Sequence, residues 1–257
     1  MMRQDLTFRL ALLALFGFFL CWMRLAGATP TAAQIIDRCD KVEYYKSNYA
    51  EMQQIITTSS GAKRTLVARS WAIDNGDKQL SEYLSPADIK GQKILMTDDG
   101  DNIWMFNAET RRTRKLGSHM KKKKVMGSDF TYEDNFGGSI REKFTPTLLG
   151  SAKEGGVECW HIKLIPTAKG PSYDKLAVWI GKGDSVTRRV DFYQDGEQQP
   201  FKRLLMTDIQ PVKQRRVPMR MTMVNLQDQS QTVNVITRIV YDVEIPKSIF
   251  EARQLKK

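Results

Sequence analysis

The sequence is poor in the residues that catalysis and metal binding most often need. Of 257 residues only two are histidine, His119 and His161, and only three are cysteine. These numbers exclude the Cys/His clusters of zinc sites. The G-x-S-x-G, P-loop and G-x-G-x-x-G motifs are also absent, which excludes the commonest nucleophile and phosphate-binding sites. The composition therefore predicts a binding protein that needs no metal or cofactor, rather than an enzyme.

The sequence also lacks a Pro/Gly/Ser-rich linker, a low-complexity tract and an internal repeat. Its charged fraction of 27% and hydrophobic fraction of 41% are those of an ordinary folded protein. A chain of this length suits one large β domain or two small domains. Since no linker is visible, we predict a single domain over residues 29–257.

Long hydrophobic runs are missing except near the N-terminus. There, Arg3 and Arg9 flank the start of an uncharged apolar stretch, residues 10–23, and the small residues 26–28 follow it. As a helix this stretch would span roughly 21 Å, which is short of the ~30 Å hydrocarbon core of a membrane. The pattern favours a cleaved secretory signal peptide over residues 1–28 rather than a retained membrane anchor.

Export changes the interpretation of the cysteines. Only Cys39 and Cys159 follow the predicted signal peptide. An oxidising compartment permits a disulfide between them. Each cysteine also suits the role of a small buried hydrophobic residue, so both alternatives stay open.

Lysine and arginine residues outnumber the acidic residues, and the formal net charge is +11. An exported protein rarely meets nucleic acid, so this charge favours contact with an anionic membrane surface or an acidic partner. A solvated loop that keeps the protein soluble is the simpler interpretation of the same residues. The predicted basic face consists of Arg111, Arg112, Arg114, Lys121, Lys122, Lys123 and Lys124.

Short runs rich in β-branched and aromatic residues fill residues 49–241. Turn pairs of the kind that hairpins favour separate several of them: Asn75-Gly76, Asp99-Gly100 and Asp195-Gly196. About ten such runs predict a large antiparallel sheet. A helix is predicted to begin at Thr31, and its single apolar stripe needs that sheet as a packing surface.

Apolar strand residues are the candidates for a binding surface. Met219, Met221 and Met223 share one strand face, because successive side chains alternate between faces. Flexible methionine side chains suit a cavity for acyl chains, although ordinary core packing explains them equally well. The candidate lipid-binding residues are Trp71, Met96, Trp104, Phe106, Trp179, Met219, Met221 and Met223.

Four sequence segments are more informative than the composition. They are LSPADIKGQKILM (residues 84–96), NIWMFNAETRRTRKL (102–116), GSDFTYEDNF (127–136) and IPKSIFEARQL (245–255). In their order and spacing they resemble the LolA-like family of outer membrane lipoprotein-sorting proteins. The resemblance implies a mainly β fold, a strongly curved half-open antiparallel β-barrel with a few helices over an apolar concave face.

The resemblance also implies a function. The expected protein is a monomeric carrier in the periplasm of a Gram-negative bacterium, which takes lipid or lipoprotein acyl chains toward the outer membrane without chemistry. Expected contacts are the membrane surface, transiently, and an inner-membrane exporter of the resistance-nodulation-division type. The alternative is a lipid-sensing regulatory protein of the same fold that binds a periplasmic or membrane signalling partner.

The phrase GSDFTYEDNF combines aromatic and acidic residues directly after the basic face. We predict that it forms a lid over the mouth of the barrel, and that its two neighbouring carboxylates tether it to the basic face through weak exposed ion pairs. A static structural corner is the alternative. The lid candidates are Phe130, Tyr132, Glu133, Asp134 and Phe136.

Overall fold

The amphipathic stripe after Thr31 forms a helix, as predicted. The computed structural model describes residues 29–135 and 137–256, so the predicted signal peptide lies outside the described residues. Helix α1 (Ala32–Glu43) buries Ile35, Ile36 and Cys39. A short helix, α2 (Ile140–Lys143), begins where the Ser139 side chain accepts a hydrogen bond from the Arg141 backbone N–H. None of the described helices is long and apolar enough to cross a membrane.

The β-branched and aromatic runs form strands in one antiparallel sheet. The described residues contain thirteen strands, ordered β6-β5-β4-β3-β2-β1-β13-β12-β11-β10-β9-β8-β7. The strands β6 and β7 form the two ends, so the sheet is not closed, and the prediction of a half-open antiparallel barrel is confirmed. The strands are β1 (Ser47–Thr57), β2 (Lys63–Ile73), β3 (Lys78–Ser85), β4 (Lys93–Thr97), β5 (Asn102–Asn107), β6 (Arg112–Leu116), β7 (Phe144–Glu154), β8 (Val157–Pro166), β9 (Lys175–Gly181), β10 (Thr187–Tyr193), β11 (Lys202–Val212), β12 (Arg215–Asn225) and β13 (Ser230–Tyr241).

The predicted turn pairs connect neighbouring strands. Asn75, Asp99 and Asp195 have φ values of 55°, 54° and 56°, the left-handed region that tight hairpin turns require. Register shifts add local bending, because a bulge places an extra residue in one strand and increases its twist. Such shifts occur between β1 and β13, β2 and β3, β7 and β8, and β9 and β10.

One face of the sheet, here called the inner face, carries two apolar clusters. Cross-strand pairing links them, since Met223 is opposite Thr232 and Thr232 is opposite Ile56. The α1 cluster lies on β7–β12 and includes Ile162, Val178, Leu204 and Met223 together with the buried residues of α1. The β5 cluster lies on β1–β6 and includes Leu66, Tyr83, Ile94, Met96 and Ile103.

The opposite, outer face has a separate core under the C-terminal segment. A row of cross-strand partners, Trp71, Leu80, Leu95 and Trp104, crosses β2 to β5 on this face. Residues 245–255 cover the row and contribute buried apolar side chains to it. This C-terminal segment therefore packs against the outer face of the sheet.

The disulfide permitted by the sequence does not form, because the two cysteines lie on different faces of the sheet. Cys39 packs in the α1 cluster of the inner face, whereas Cys159 packs beside Ala177 and Trp179 on the outer face. Both thiols are free and buried. Burial also raises the pKa of both thiols, which reduces the reactive thiolate form.

We therefore expect both thiols to resist alkylation in the native protein and to react rapidly once the protein is unfolded in denaturant. The measurement is mass spectrometry after brief treatment with a thiol reagent, with the denatured protein as the control. A change of electrophoretic mobility on reduction would contradict this expectation.

Candidate functional site

Between β6 and β7, which lie at opposite ends of the sheet, the chain crosses the inner face. Residues 125–135, here called the crossing segment, make this passage between the two apolar clusters. Phe130 packs in the α1 cluster and Tyr132 in the β5 cluster. Their side chains are deeply buried, with relative exposures of 5% and 2%. The crossing segment thus occupies the middle of the half-barrel.

The larger of two cavities on the inner face lies beside the crossing segment, under α1 and α2. Its volume is about 200 Å³, and Glu133 and Asp134 of the crossing segment form part of its wall. The sheet side of the wall is mainly apolar, and it includes Val178, Ile180, Val190, Phe192, Leu204 and Met206. This composition suits a hydrocarbon chain.

A smaller cavity of about 120 Å³ lies toward the β5 cluster. Phe130 and Tyr132 line it together with Met96. This cavity also has a polar side, where the Gln54 amide donates a 2.9 Å hydrogen bond to the Asn234 side-chain oxygen. The crossing segment therefore borders both cavities.

Three carboxylates fix the crossing segment to the sheet and its loops. The first, Asp129, accepts hydrogen bonds from the hydroxyls of Ser230 (2.6 Å) and Thr232 (2.9 Å) on β13. The second, Glu133, accepts from the backbone N–H of Ser172 (3.0 Å) and from its hydroxyl (2.9 Å). Hydrogen bonds to charged groups contribute about 1.5–3 kcal/mol each. These contacts hold the segment more firmly than exposed ion pairs would.

The third carboxylate, Asp134, forms a buried ion pair with Lys202 of β11. The Lys202 ammonium lies 2.6 and 2.8 Å from the two carboxylate oxygens and 2.7 Å from the Tyr173 hydroxyl, which donates to Asp134 at 2.7 Å. The side chains of Lys202 and Asp134 are only 2% and 3% exposed. Burial lowers the pKa of the Lys202 ammonium, and the Asp134 carboxylate opposes that shift.

These partners correct the predicted tether. Among the described residues, Asp134 pairs with Lys202 and Glu133 binds Ser172, so neither carboxylate is tethered to the basic face. The reason is burial: the side chains of Glu133 and Asp134 are buried, while most of the basic face is exposed. Phe136, the last lid candidate, lies outside the described residues.

The basic face consists of an exposed strand and a loop. Arg112 and Arg114 lie on β6, at the end of the sheet, where exposed cations discourage pairing with another strand. In the lysine run, Lys121 forms an ion pair with Asp101 at 2.8 Å, and Lys124 forms pairs with Asp129 at 3.2 Å and with Asp228 at 2.8 Å. Arg111, Lys122 and Lys123 are exposed. A role in binding a membrane or a partner stays a prediction.

The predicted lipid-binding residues divide between the two faces. Met96 belongs to the β5 cluster, and Met221 and Met223 belong to the α1 cluster, so these three lie on the inner face. By strand alternation Met219 faces the same side. In contrast, Trp71, Trp104 and Phe106 lie on the outer face under the C-terminal segment.

Trp179 also lies on the outer face, where it stacks on His161 with ring centroids 4.3 Å apart and carries the Arg189 guanidinium 4.1 Å above its ring. The sequence identified apolar strand residues correctly but could not assign them to a face. Lys202 and Tyr173 were missed. In KRLLM the alternation of Lys202, Leu204 and Met206 places a lysine on an apolar face, a signal that could have identified the buried pair.

Comparisons with known proteins agree with this fold. A family model described as "Uncharacterized protein" matches residues 75–257. A domain from Vibrio parahaemolyticus described as an outer membrane lipoprotein-sorting protein has a TM-score of 0.80 and 23% identity, covering 88% of this chain and 98% of that one. No curated protein matches the chain.

Two further solved structures are similar. A DUF1329 family protein from Desulfovibrio piger has a TM-score of 0.79 and 20% identity, covering 88% of this chain and all of its own. A LolA superfamily protein from Nitrosomonas europaea has a TM-score of 0.72 and 16% identity, covering 87% and 98% of the two chains. All three structures share the curved sheet, and at these identities the likeness shows the fold.

Proposed function

Because the chain belongs to the family whose model matches residues 75–257 and has the fold of LolA-like proteins, we propose that it is a periplasmic carrier that binds lipid or lipoprotein acyl chains on the inner face of its half-barrel and takes them toward the outer membrane. No covalent chemistry is required for this function. The observation that carries the proposal is the cavity beside the crossing segment, whose sheet wall consists mainly of aliphatic and aromatic side chains.

The energetics support binding of an acyl chain. Burial contributes about 0.8 kcal/mol for each CH₂ group, so a 16-carbon chain gains on the order of 10 kcal/mol before the costs of ordering. The cavity of about 200 Å³ is smaller than the roughly 300–1,000 Å³ of typical ligand sites. A full-length chain therefore requires displacement of the crossing segment, which would join the two cavities.

The proposal is tested by filling the larger cavity. Met206→Trp adds a ring to the cavity wall, and we expect it to weaken binding of a fluorescent fatty acid by roughly tenfold or more, a loss of about 1.4 kcal/mol. The matched control is Leu205→Trp, because Leu205 is the neighbouring residue of β11 and faces the other side of the sheet.

Lipid extraction and mass spectrometry of the protein from its native compartment identify the cargo. Protein that carries no lipid and also takes up no labelled lipid would overturn the proposal, as would an equal effect of both tryptophan variants. The exposed basic face is equally compatible with the lipid-sensing alternative. That alternative, like the exporter of the resistance-nodulation-division type, stays a prediction.

A further inference from the structure

Lys202 is a cation of the sheet that is buried on the inner face of the half-barrel, among aromatic side chains. It lies opposite Phe192 of β10 and Asn225 of β12, so the sheet fixes its position. Its ammonium lies 4.7 Å from the centroid of the Phe192 ring, 4.8 Å from that of Tyr173 and 5.5 Å from that of Phe201. An ammonium so deeply buried needs an anionic partner.

The present partner of Lys202 is on the element that has to move. Asp134 belongs to the crossing segment, whereas Lys202 belongs to the sheet. Displacement of the segment would leave the ammonium buried without a counter-charge, which is strongly unfavourable. A cargo that supplies its own anion removes this cost, and a neutral cargo does not.

Resting on the proposed carrier function, we propose that the cargo is an anionic acyl lipid whose carboxylate or phosphate replaces the Asp134 carboxylate at Lys202 and Tyr173. The position fits, because Asp134, Tyr173 and Phe192 all line the larger apolar cavity. An anion bound there has its hydrocarbon chain directed along the cavity. The Tyr173 hydroxyl, which now donates to Asp134, donates to the incoming anion in the same way. Charge-assisted hydrogen bonds of this kind are roughly twice as strong as neutral ones.

The test compares two pairs of ligands with identical chains: palmitic acid with methyl palmitate, and palmitoyl lysophosphatidic acid with monopalmitoylglycerol. We expect the wild-type protein to bind at least one anionic member roughly tenfold or more tightly than its neutral counterpart. Preference within the first pair identifies a carboxylate, and preference within the second identifies a phosphate.

The decisive variant is Lys202→Met combined with Asp134→Asn, which removes both charges and leaves neither ion buried alone. We expect it to bind the neutral ligands more tightly than the wild type does, because displacement of the crossing segment no longer leaves a cation buried alone, and to lose the preference for the anions. The control is Lys143→Met, because Lys143 is a second buried lysine, lies on the wall of the larger cavity and is paired with Asp99 at 2.8 Å. This control should keep the preference. Thermal unfolding checks that both proteins are folded.

The outcomes separate this inference from the function on which it rests. Wild-type protein that binds neutral and anionic lipids equally overturns the anion site and leaves the carrier function intact. A double variant that keeps the preference, or a Lys143→Met variant that loses it, places the anion elsewhere and also overturns the inference. Failure of all four ligands to bind overturns both the anion site and the carrier function.

Discussion

Asp134→Lys is expected to release the crossing segment from the half-barrel. The substitution places a second ammonium where the Lys202 ammonium now lies 2.6 Å from a carboxylate oxygen. Loss of one partner of a buried ion pair costs about 3–5 kcal/mol, and repulsion between two buried cations adds to that cost. The total cost approaches the free energy of unfolding of a typical domain, so either the crossing segment leaves the inner face or the whole protein unfolds.

Hydrogen–deuterium exchange over residues 125–135 and thermal unfolding are the measurements. We expect protection to fall in the crossing segment while β8 to β12 stay protected. The matched control is Glu109→Lys, which makes the same change of charge at an exposed position and should leave both measurements near the wild type. A fall in melting temperature with unchanged protection of residues 125–135 before unfolding would show that the segment is a static corner of the fold.

Salt should have little influence on this release. A tether between exposed charges, as the sequence suggested, weakens as salt screens it. The Lys202 and Asp134 side chains are almost completely buried, and buried pairs are screened much less. The same amount of release at low and high ionic strength therefore distinguishes the buried pair from a surface tether.

The sheet could be predicted because strands and hairpins are specified by residues that are close together in the sequence. Alternating apolar residues and turn pairs such as Asn75-Gly76 specify strands and hairpins over a few residues, and the structure has hairpins at these places. The faces were not predictable in the same way. Alternation shows which residues of one strand share a face, but it does not relate Trp71 or Trp104 to Met96 on another strand, nor does it show which face is concave. That assignment depends on the C-terminal segment, which covers Trp71 and Trp104 from the outside.

The residues that anchor the crossing segment illustrate a second limit of prediction from the sequence. The aromatic residues of GSDFTYEDNF indicated that this segment covers an apolar surface, and Phe130 and Tyr132 do pack on the inner face. Its carboxylates were paired with the nearest cations along the chain, although Lys202 lies 68 positions after Asp134. Pairing charges by their distance along the chain selects exposed cations in nearby loops. A buried carboxylate instead pairs with a cation that the fold places in the protein interior.

Phe130→Ala is expected to destabilise the protein and at the same time improve lipid binding. The ring packs in the α1 cluster and lines the smaller cavity, so its removal enlarges the space beside the crossing segment. Truncation of a buried phenylalanine costs about 3–5 kcal/mol. An acyl chain that fills the new space recovers part of this cost, so the affinity for a long-chain fatty acid should rise by roughly tenfold.

Phe250→Ala is the matched control for this prediction, because Phe250 has the same exposure of 5% as Phe130 but belongs to the outer core under the C-terminal segment. Both variants should lose similar stability in chemical denaturation, and only Phe130→Ala should bind the fatty acid more tightly. Since the two truncations differ chiefly in the face they affect, a gain in one alone assigns the acyl chain to the inner face. Equal affinities in both variants would mean that the space next to Phe130 is closed to the acyl chain, and the crossing segment would then be a structural element only.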